Sequence, residues 1–225
     1  METLGNITHV IFDLDGLILN TEVLYDVAIQ KILDRFDKTY TYDLKMKVMG
    51  MKYHKSMELI QKELDIPISP DDLVTESMNN LKELFMKCGT MPGAEKLIRH
   101  LGKHNIPMCI ATGSSSADYQ LKTHSHKDLV SLMEFAVRSD DPEVKFGKPN
   151  PDIFLLAMSR FESPPASSKN CLVLEDAPNG IKAALAAEMM CVMVPDPRLN
   201  TIPPAHLVLK SLEEFNPASF GLPPF

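Results

Sequence analysis

The sequence predicts an α/β fold: a mostly parallel β-sheet with helices on both faces, and an all-helical domain inserted after the first strand. Short apolar runs alternate with helical patterns along most of the 225 residues, as in proteins built from strand–helix–strand units. The first apolar run ends at Phe12, but the next begins only at Met108. A crossover between parallel strands needs only about a dozen residues, so this long interval indicates an insertion.

Six apolar runs have the length of buried strands. They lie at residues 10–12, 108–111, 135–137, 171–174, 191–194 and 207–209. A helix packed on the sheet is predicted after Pro92-Gly93 from apolar residues at positions i, i+3, i+4 and i+7. These residues are Ala94, Leu97, Ile98 and Leu101.

The inserted segment, residues 19–90, is predicted to be helical throughout. One helix begins at Ser69-Pro70-Asp71-Asp72, where a capping hydroxyl precedes a proline and an acidic residue follows three positions after the cap. Its predicted buried face consists of Val74, Met78, Leu81 and Phe85. Both ends of the insert return to the end of the first strand, so we interpret it as a cap over that end. Residues 1–18 and 91–225 then form the core; a helical decoration remote from any site is the alternative.

Composition and charge argue against several classes of protein. The formal net charge is −7 and the lysines are scattered, so a nucleic-acid-binding surface is not expected. No apolar run is long enough to span a membrane, and the N-terminal residues lack the basic and apolar blocks of a signal peptide. The four cysteines lack zinc-site spacing. We expect a reduced, cytoplasmic protein, and we take it to be a monomer.

Two aspartates follow the first predicted strand, in the sequence Asp13-Leu14-Asp15-Gly16. Ligands of open α/β sheets bind at the carboxyl ends of the strands, so both carboxylates are expected at the mouth of a crevice. Two neighbouring carboxylates do not both ionise readily unless a cation binds one or one keeps a proton. This suits a pair in which one attacks a substrate and the other transfers protons, although a strand that merely ends in a turn has the same residues.

Polar residues also follow the later strands. Thr112-Gly113-Ser114 leads from the second strand into a helix, which gives either an anion site or an ordinary serine N-cap. Lys148 lies between a glycine and a proline, where it is a point charge for phosphate or a solvated lysine. Glu175 and Asp176 follow the fourth strand and supply oxygen ligands for a hard cation such as Mg²⁺.

Together these groups match the needs of phosphate-monoester hydrolysis. The uncatalysed reaction is among the slowest known and requires acceleration of up to ~10²¹-fold. A nucleophile, a proton donor, a metal ion and fixed positive charge around one phosphoryl group meet that requirement.

These motifs, in this order, resemble those of the haloacid dehalogenase superfamily of phosphatases, in the subclass with a helical cap after the first strand. The resemblance covers nearly the whole chain and implies a Rossmann-like catalytic core, an aspartyl-phosphate intermediate and Mg²⁺ as cofactor. Within the superfamily the chain is similar to the eukaryotic pseudouridine-5′-phosphatases. This closer similarity is carried by residues 12–17, 91–98, 140–144, 147–154, 175–180, 192–196 and 220–223.

The resemblance also implies a role for each motif residue. Asp13 attacks phosphorus, and Asp15 protonates the leaving alkoxide and then activates water. Thr112-Gly113-Ser114 binds the phosphoryl oxygens, and Lys148 neutralises the nucleophile and the phosphate. The implied ligands of Mg²⁺ are Asp13, the main-chain carbonyl of Asp15, Asp176 and, directly or through water, Glu175. The expected substrate is a small phosphorylated metabolite, in the first place pseudouridine 5′-phosphate.

Three different functions also fit the sequence. A sugar phosphomutase of the β-phosphoglucomutase type shares the core but carries an arginine in its cap loop, where this chain has Met51-Lys52-Tyr53-His54-Lys55. Lys52 or Lys55 would replace that arginine as a less directional donor, and with Tyr53 and His54 they are the predicted specificity residues of the cap. A glycerol- or sugar-phosphate phosphatase is the second possibility, and a non-catalytic phosphoaspartate signalling domain is the third.

Two residues depart from the family's pattern. Asn20 stands where an acidic residue is common in the flap between core and cap, which affects the expected gating. Glu188 stands where glycine usually ends a helix, so a left-handed backbone there would strain the glutamate. Separately, His100 and His104 have the spacing of a metal pair, but they lack the glutamate of the zinc motif and their charged neighbours indicate a solvated face.

Overall fold

The structure is a computed structural model that describes residues 4–48, 51, 53–199 and 201–225. Its contacts divide the chain into two compact units. Thr21–Cys88 forms one, and the residues up to Asn20 together with Gly89–Phe225 form the other. We call these the helical unit and the core unit. The helical unit lies within the predicted insert, and its role as a cap stays a prediction.

The core unit contains a six-stranded sheet, and the predicted fold class is confirmed. The strands are β1 (His9–Phe12), β2 (Met108–Ala111), β3 (Ala136–Val137), β4 (Cys171–Glu175), β5 (Met190–Met193) and β6 (Leu207–Val208). Their order across the sheet is β3-β2-β1-β4-β5-β6, and every neighbouring pair is parallel. The strand ends differ from the predicted ones by at most one residue, because pairing and not apolarity decides where a strand ends.

The helical unit contains α1 (Glu22–Leu33), α2 (Tyr42–Val48), α3 (Tyr53–Leu64) and α4 (Pro70–Phe85), with a 3₁₀ turn at Asp34–Phe36. α4 begins as predicted. The Ser69 hydroxyl accepts a hydrogen bond from the Asp72 amide at 3.1 Å, which satisfies one of the unpaired N–H groups of the first turn.

The buried face of α4 differs from the predicted one. It consists of Leu73, Ser77, Leu81 and Phe85. The prediction was wrong for Val74 and Met78, which are only half-buried. A polar residue takes the central position, because the Ser77 hydroxyl accepts a hydrogen bond from the Tyr53 hydroxyl at 2.8 Å and is therefore satisfied inside the unit.

The core helices are α5 (Ala94–Lys103), α6 (Ser116–Lys122), α7 (Lys127–Val130), α8 (Asp152–Arg160) and α9 (Pro178–Ala186). The predicted apolar face of α5 is fully buried. The C-terminal tail docks on this unit: Phe220 and Leu222 are buried, and the Ile7 amide donates to the Phe220 carbonyl at 3.0 Å. All four cysteines are buried. Within the described ranges, no helix has the length and apolarity to cross a bilayer.

Candidate active site

The predicted site residues of the core gather at the edge of the sheet where β1, β2 and β4 end. β1 lies between β2 and β4, so the loops after these three strands are neighbours. The Asp13 amide donates to the Leu174 carbonyl at 3.0 Å, which extends the pairing of β1 with β4 to the first aspartate. Asp13 is only 5% exposed, whereas Asp15 is half-buried. Gly16 has a φ of 76°, which explains the glycine in this turn.

Lys148 connects the ends of all three strands. Its Nζ donates to Asp13 Oδ1 at 2.6 Å, to Glu175 Oε1 at 2.7 Å and to the Ala111 carbonyl at 3.0 Å. Its side chain is 13% exposed. The interpretation of a solvated lysine is therefore excluded, and Lys148 is a buried cation shared by two carboxylates.

The buried charges change one another's protonation. Burial raises the pKa of Asp13 to about 7, with the charges of Glu175 and Asp15 adding to the increase and Lys148 opposing it. Burial acts to lower the pKa of Lys148, but the carboxylates of Asp13 and Glu175 outweigh it, so this pKa lies above its usual value. Lys148 is thus a cation at neutral pH, and a further cation near Asp13 would favour the ionised form of its carboxyl group.

The hydroxyl residues after β2 bind the second aspartate. Ser114 Oγ donates to Asp15 Oδ2 at 2.7 Å, and Thr112 Oγ1 donates to the same oxygen at 3.4 Å. Thr112 Oγ1 also accepts from the Ser114 amide at 3.0 Å. Both hydroxyl residues are buried, while Gly113 between them is exposed. The loop therefore presents two hydroxyl groups beside the carboxylate of Asp15.

One residue of this site was missed by the sequence reasoning. Lys122, the last residue of α6, is 3% exposed. Its Nζ lies 2.6 Å from Asp15 Oδ1 and donates to Ser114 Oγ at 2.8 Å. In the sequence Gln120-Leu121-Lys122-Thr123 nothing distinguishes it from a solvated lysine, because its burial depends on how α6 packs.

Glu175 is held rigidly at the end of β4. It is 1% exposed, and its Oε2 accepts from the Ala177 amide at 2.8 Å while its Oε1 accepts from Lys148. Gly180, in the first turn of α9, leaves room for this carboxylate: a Cβ there would lie 1.7 Å from Glu175 Oε1. Asp176, the next residue along the chain, is half-buried.

The oxygen donors at this edge fit Mg²⁺. Among the described residues, no group of three or more His, Cys, Asp and Glu side chains is arranged to hold a metal ion. Mg²⁺ does not need such a group, because one or two carboxylates usually bind it together with water and substrate oxygens. Asp13, the main-chain carbonyl of Asp15, Asp176 and Glu175 are the predicted ligands, and the buried carboxylate of Asp13 favours a nearby cation. Their binding of Mg²⁺ stays a prediction. One histidine of the pair with metal-site spacing, His100, has a different partner, because its Nε2 is hydrogen-bonded to the Pro223 carbonyl at 2.9 Å.

The predicted specificity residues of the cap lie in the helical unit. Lys52 is outside the described residues. Tyr53 is half-buried and lines a cavity of about 240 Å³ within that unit. His54 and Lys55 are exposed, and both pair with Glu58, at 3.2 and 2.8 Å respectively. Their role in specificity stays a prediction.

Comparison with known proteins supports the resemblance to haloacid dehalogenase phosphatases that the sequence motifs indicate. The family model described as haloacid dehalogenase-like hydrolase matches residues 10–194. The (DL)-glycerol-3-phosphatase 2 of Arabidopsis thaliana is 48% identical over 225 residues, which cover 98% of this chain and 94% of that protein. The "probable pseudouridine-5′-phosphatase" of Drosophila melanogaster is 44% identical over 227 residues, which cover 100% of this chain and 98% of that protein.

A solved structure shows the same fold. The magnesium-bound structure of YfnB from Bacillus subtilis is similar with a TM-score of 0.74, at 19% identity, over 93% of this chain and 96% of that chain. The family model spans most of the chain, and both relatives match over nearly their whole length. The chain therefore belongs to the haloacid dehalogenase-like hydrolases and is a phosphatase of small phosphorylated metabolites within that family.

Proposed function

We propose that this phosphatase hydrolyses pseudouridine 5′-phosphate through an aspartyl-phosphate intermediate, with Mg²⁺ as cofactor. The observation that carries the mechanism is the separate binding of two neighbouring carboxylates. Lys148 holds Asp13 at 2.6 Å, whereas Ser114 holds Asp15 at 2.7 Å. Two aspartates held by different partners are suited to different roles.

In the first step the Asp13 carboxylate attacks phosphorus. The bond between phosphorus and the ester oxygen breaks, and the leaving oxygen takes a proton from the carboxyl group of Asp15. The products are the free alcohol and phosphorylated Asp13. Lys148 offsets the negative charge of the nucleophile and of the phosphoryl group.

In the second step water attacks the phosphorus of the aspartyl phosphate and gives a proton to the Asp15 carboxylate. The bond between phosphorus and the Asp13 oxygen breaks, which regenerates the Asp13 carboxylate and releases inorganic phosphate. The Thr112-Gly113-Ser114 loop binds the phosphoryl oxygens in both steps. Because the Ser114 hydroxyl donates to Asp15 Oδ2 at 2.7 Å, the donors expected to reach these oxygens are the Thr112 hydroxyl and the Gly113 amide. Asp15 ends the cycle protonated, ready for the next ester.

Asp13, the main-chain carbonyl of Asp15 and Asp176 would hold Mg²⁺. When bound, the ion supplies positive charge to the phosphoryl oxygens. Glu175 is expected to support it indirectly, because both of its oxygens already accept hydrogen bonds from the protein, Oε1 from Lys148 and Oε2 from the Ala177 amide. Replacing Asp176 by alanine should therefore weaken Mg²⁺ binding more than replacing Glu175.

Glycerol 3-phosphate is the second candidate substrate, and the Arabidopsis relative named for it is 48% identical to this chain. The motif stretches similar to pseudouridine-5′-phosphatases and the Drosophila relative, which is 44% identical, support pseudouridine 5′-phosphate. Both compounds are phosphate esters of a primary alcohol. The leaving group of each ester is an alkoxide that needs a proton, so the same catalytic groups would serve either substrate.

The test measures phosphate release from both esters with Mg²⁺ present. We expect one phosphate for each ester consumed, no need for a bisphosphate activator and no activity after chelation. Asp13→Asn should abolish turnover, and Asp15→Asn should reduce it by roughly 10²–10⁴-fold. Asp128→Asn, which changes an exposed aspartate of α7 that pairs with Arg99, is the matched control and should retain activity. Substantial phosphate release by the Asp13 variant would rule out the covalent mechanism.

A further inference from the structure

Lys122 is a buried cation whose presence needs an explanation. It ends α6 and is 3% exposed, although lysine is almost never fully buried unless it is paired. A buried ion pair is weak evidence for a stabilising role, because such pairs can often be replaced by apolar residues at little or no cost. A role in the reaction is the more specific explanation.

The partners of Lys122 identify that role. Its Nζ lies 2.6 Å from Asp15 Oδ1 and donates to Ser114 Oγ at 2.8 Å. Ser114 Oγ in turn donates to the other oxygen of Asp15 at 2.7 Å. The three groups form a closed triangle, in which both oxygens of the Asp15 carboxylate have a partner and its plane is fixed.

We propose that Lys122 is a positioning residue of the reaction, which holds the Asp15 carboxylate and the Ser114 hydroxyl in a fixed arrangement. This inference rests on the proposed function, since it assumes that Asp15 transfers the proton. The ammonium group itself does not act on the substrate. It acts through Asp15, whose carboxyl oxygens must stand at a defined place to reach the leaving oxygen and, later, the water.

Lys122 and Lys148 thus serve different aspartates. Lys148 contacts Asp13 and Glu175, and Lys122 contacts Asp15. Removal of Lys148 should affect every substrate, because the nucleophile is always needed. Removal of Lys122 should affect mainly substrates whose leaving group needs a proton, and this difference makes the inference testable.

The experiment compares two esters with the variant Lys122→Met, which keeps the length of the side chain and removes its charge. The leaving group of pseudouridine 5′-phosphate (or of glycerol 3-phosphate, if that is the substrate) is an alkoxide, which needs a proton. The leaving group of p-nitrophenyl phosphate is a stabilised phenolate, which needs none. We use kcat/KM, because it reports the step that phosphorylates Asp13 and excludes the later hydrolysis. Lys103→Met, at the exposed end of α5, is the matched control.

We expect kcat/KM of Lys122→Met to fall about 10–100-fold for the alkyl ester and less than about threefold for the aryl ester. Lys103→Met should leave both values unchanged. Equal losses for the two esters, or no loss for either, would overturn the proposal, because a purely structural role or a role in phosphate binding does not depend on the leaving group.

Two further arms keep the result interpretable. If Lys122→Met does not fold, as judged by its thermal unfolding, Lys122→Gln restores a hydrogen-bond donor without the charge and is tested by the same ratio. If the wild-type protein releases no phosphate from either alkyl ester, the proposed function fails. If the wild type hydrolyses the esters but the ratio is unchanged in the variant, only the role of Lys122 is refuted.

Discussion

Replacing Gly180 by alanine should damage the active site through Glu175. A Cβ on Gly180 would lie 1.7 Å from Glu175 Oε1 and 1.9 Å from its Cδ. Ordinary van der Waals contact begins at 3.4 Å, so the carboxylate oxygen must retreat by about 1.7 Å, the difference between 3.4 and 1.7. The helix itself is fixed, because α9 packs on the buried core of the sheet through Ile181, Ala183 and Ala184.

Such a displacement exceeds what the hydrogen bonds of Glu175 tolerate. These hydrogen bonds measure 2.7 Å to Lys148 and 2.8 Å to the Ala177 amide. Because Glu175 is only 1% exposed, water does not replace a bond that is lost. Lys148 would lose one of its two carboxylates and shift relative to Asp13. Misplacing a reacting group by roughly 1 Å can cost about 100-fold in rate, which is the loss of kcat that we expect. The helix-propensity gain of about 1 kcal/mol from glycine to alanine is smaller than the cost of a broken buried ion pair, about 3–5 kcal/mol, so Tm should fall.

Gly102→Ala is the matched control, because it also replaces a helical glycine of the core unit. Its Cβ would meet the nearest atom, Leu132 Cδ2, at 3.5 Å, so activity should be unchanged and Tm equal or higher. Phosphate release and thermal unfolding are measured for both variants. Adding Glu175→Asp to Gly180→Ala shortens the obstructed side chain and should recover part of the lost activity. A Gly180→Ala variant that keeps more than half of the wild-type kcat would refute this steric role of Gly180.

Three further predictions concern stability. Glu188 has a φ of 56°, so Glu188→Gly should remove the clash of its Cβ and raise the free energy of unfolding by about 1 kcal/mol; a lower Tm would contradict this. Ser69→Ala should lower the free energy of unfolding by about 1 kcal/mol through loss of the N-cap hydrogen bond from the Asp72 amide. An unchanged Tm would contradict this prediction. The raised pKa of Asp13, about 7 against 3.8, adds stability below pH 3.8 that is lost as the pH rises through 7. As the pH rises from about 4 to about 7, chelator-treated wild type should therefore lose stability relative to Asp13→Asn. Parallel stability curves for the two proteins would contradict the raised pKa of Asp13.

The sequence was sufficient to predict the fold class and several of the core residues that meet at the edge of the sheet. Parallel strands end at one edge of the sheet, so a polar residue directly after a strand has a predictable position. Asp13, Thr112 and Glu175 follow from this rule alone, and Lys148 was indicated by its place between a glycine and a proline. Periodicity likewise predicted the buried face of α5, because its apolar residues lie on one side of the helix and only that side can pack on the sheet.

The rest depended on packing that has no local signal. Lys122 is buried because α6 turns its last residue towards Asp15, and a single lysine in a polar stretch does not show which way its helix faces. Half of the predicted face of α4 was wrong by one position, because Leu73 and Ser77 are buried in place of Val74 and Met78. A hydrogen bond from Tyr53, in another helix, makes the burial of Ser77 possible. Gly180 could be recognised as part of a motif, but its steric role follows only from the position of the Glu175 side chain.

The charges of the site bear on the order in which its ligands bind. Among the residues that the structure describes, the core part of the site has four carboxylates and two ammonium groups, which leave a net charge of −2 when all are ionised: Asp13, Asp15, Glu175 and Asp176, with Lys122 and Lys148. A phosphate dianion entering this site alone would meet charge of its own sign in a place of low exposure, where screening is weak. One divalent cation cancels the excess, so Mg²⁺ should govern the binding of substrate as well as the chemistry. Titration calorimetry at about pH 8, above the raised pKa of Asp13, should therefore show inorganic phosphate binding to the Mg²⁺-loaded protein and not to the chelated one. Equal affinity in both would mean that the two lysines alone bind the phosphoryl group.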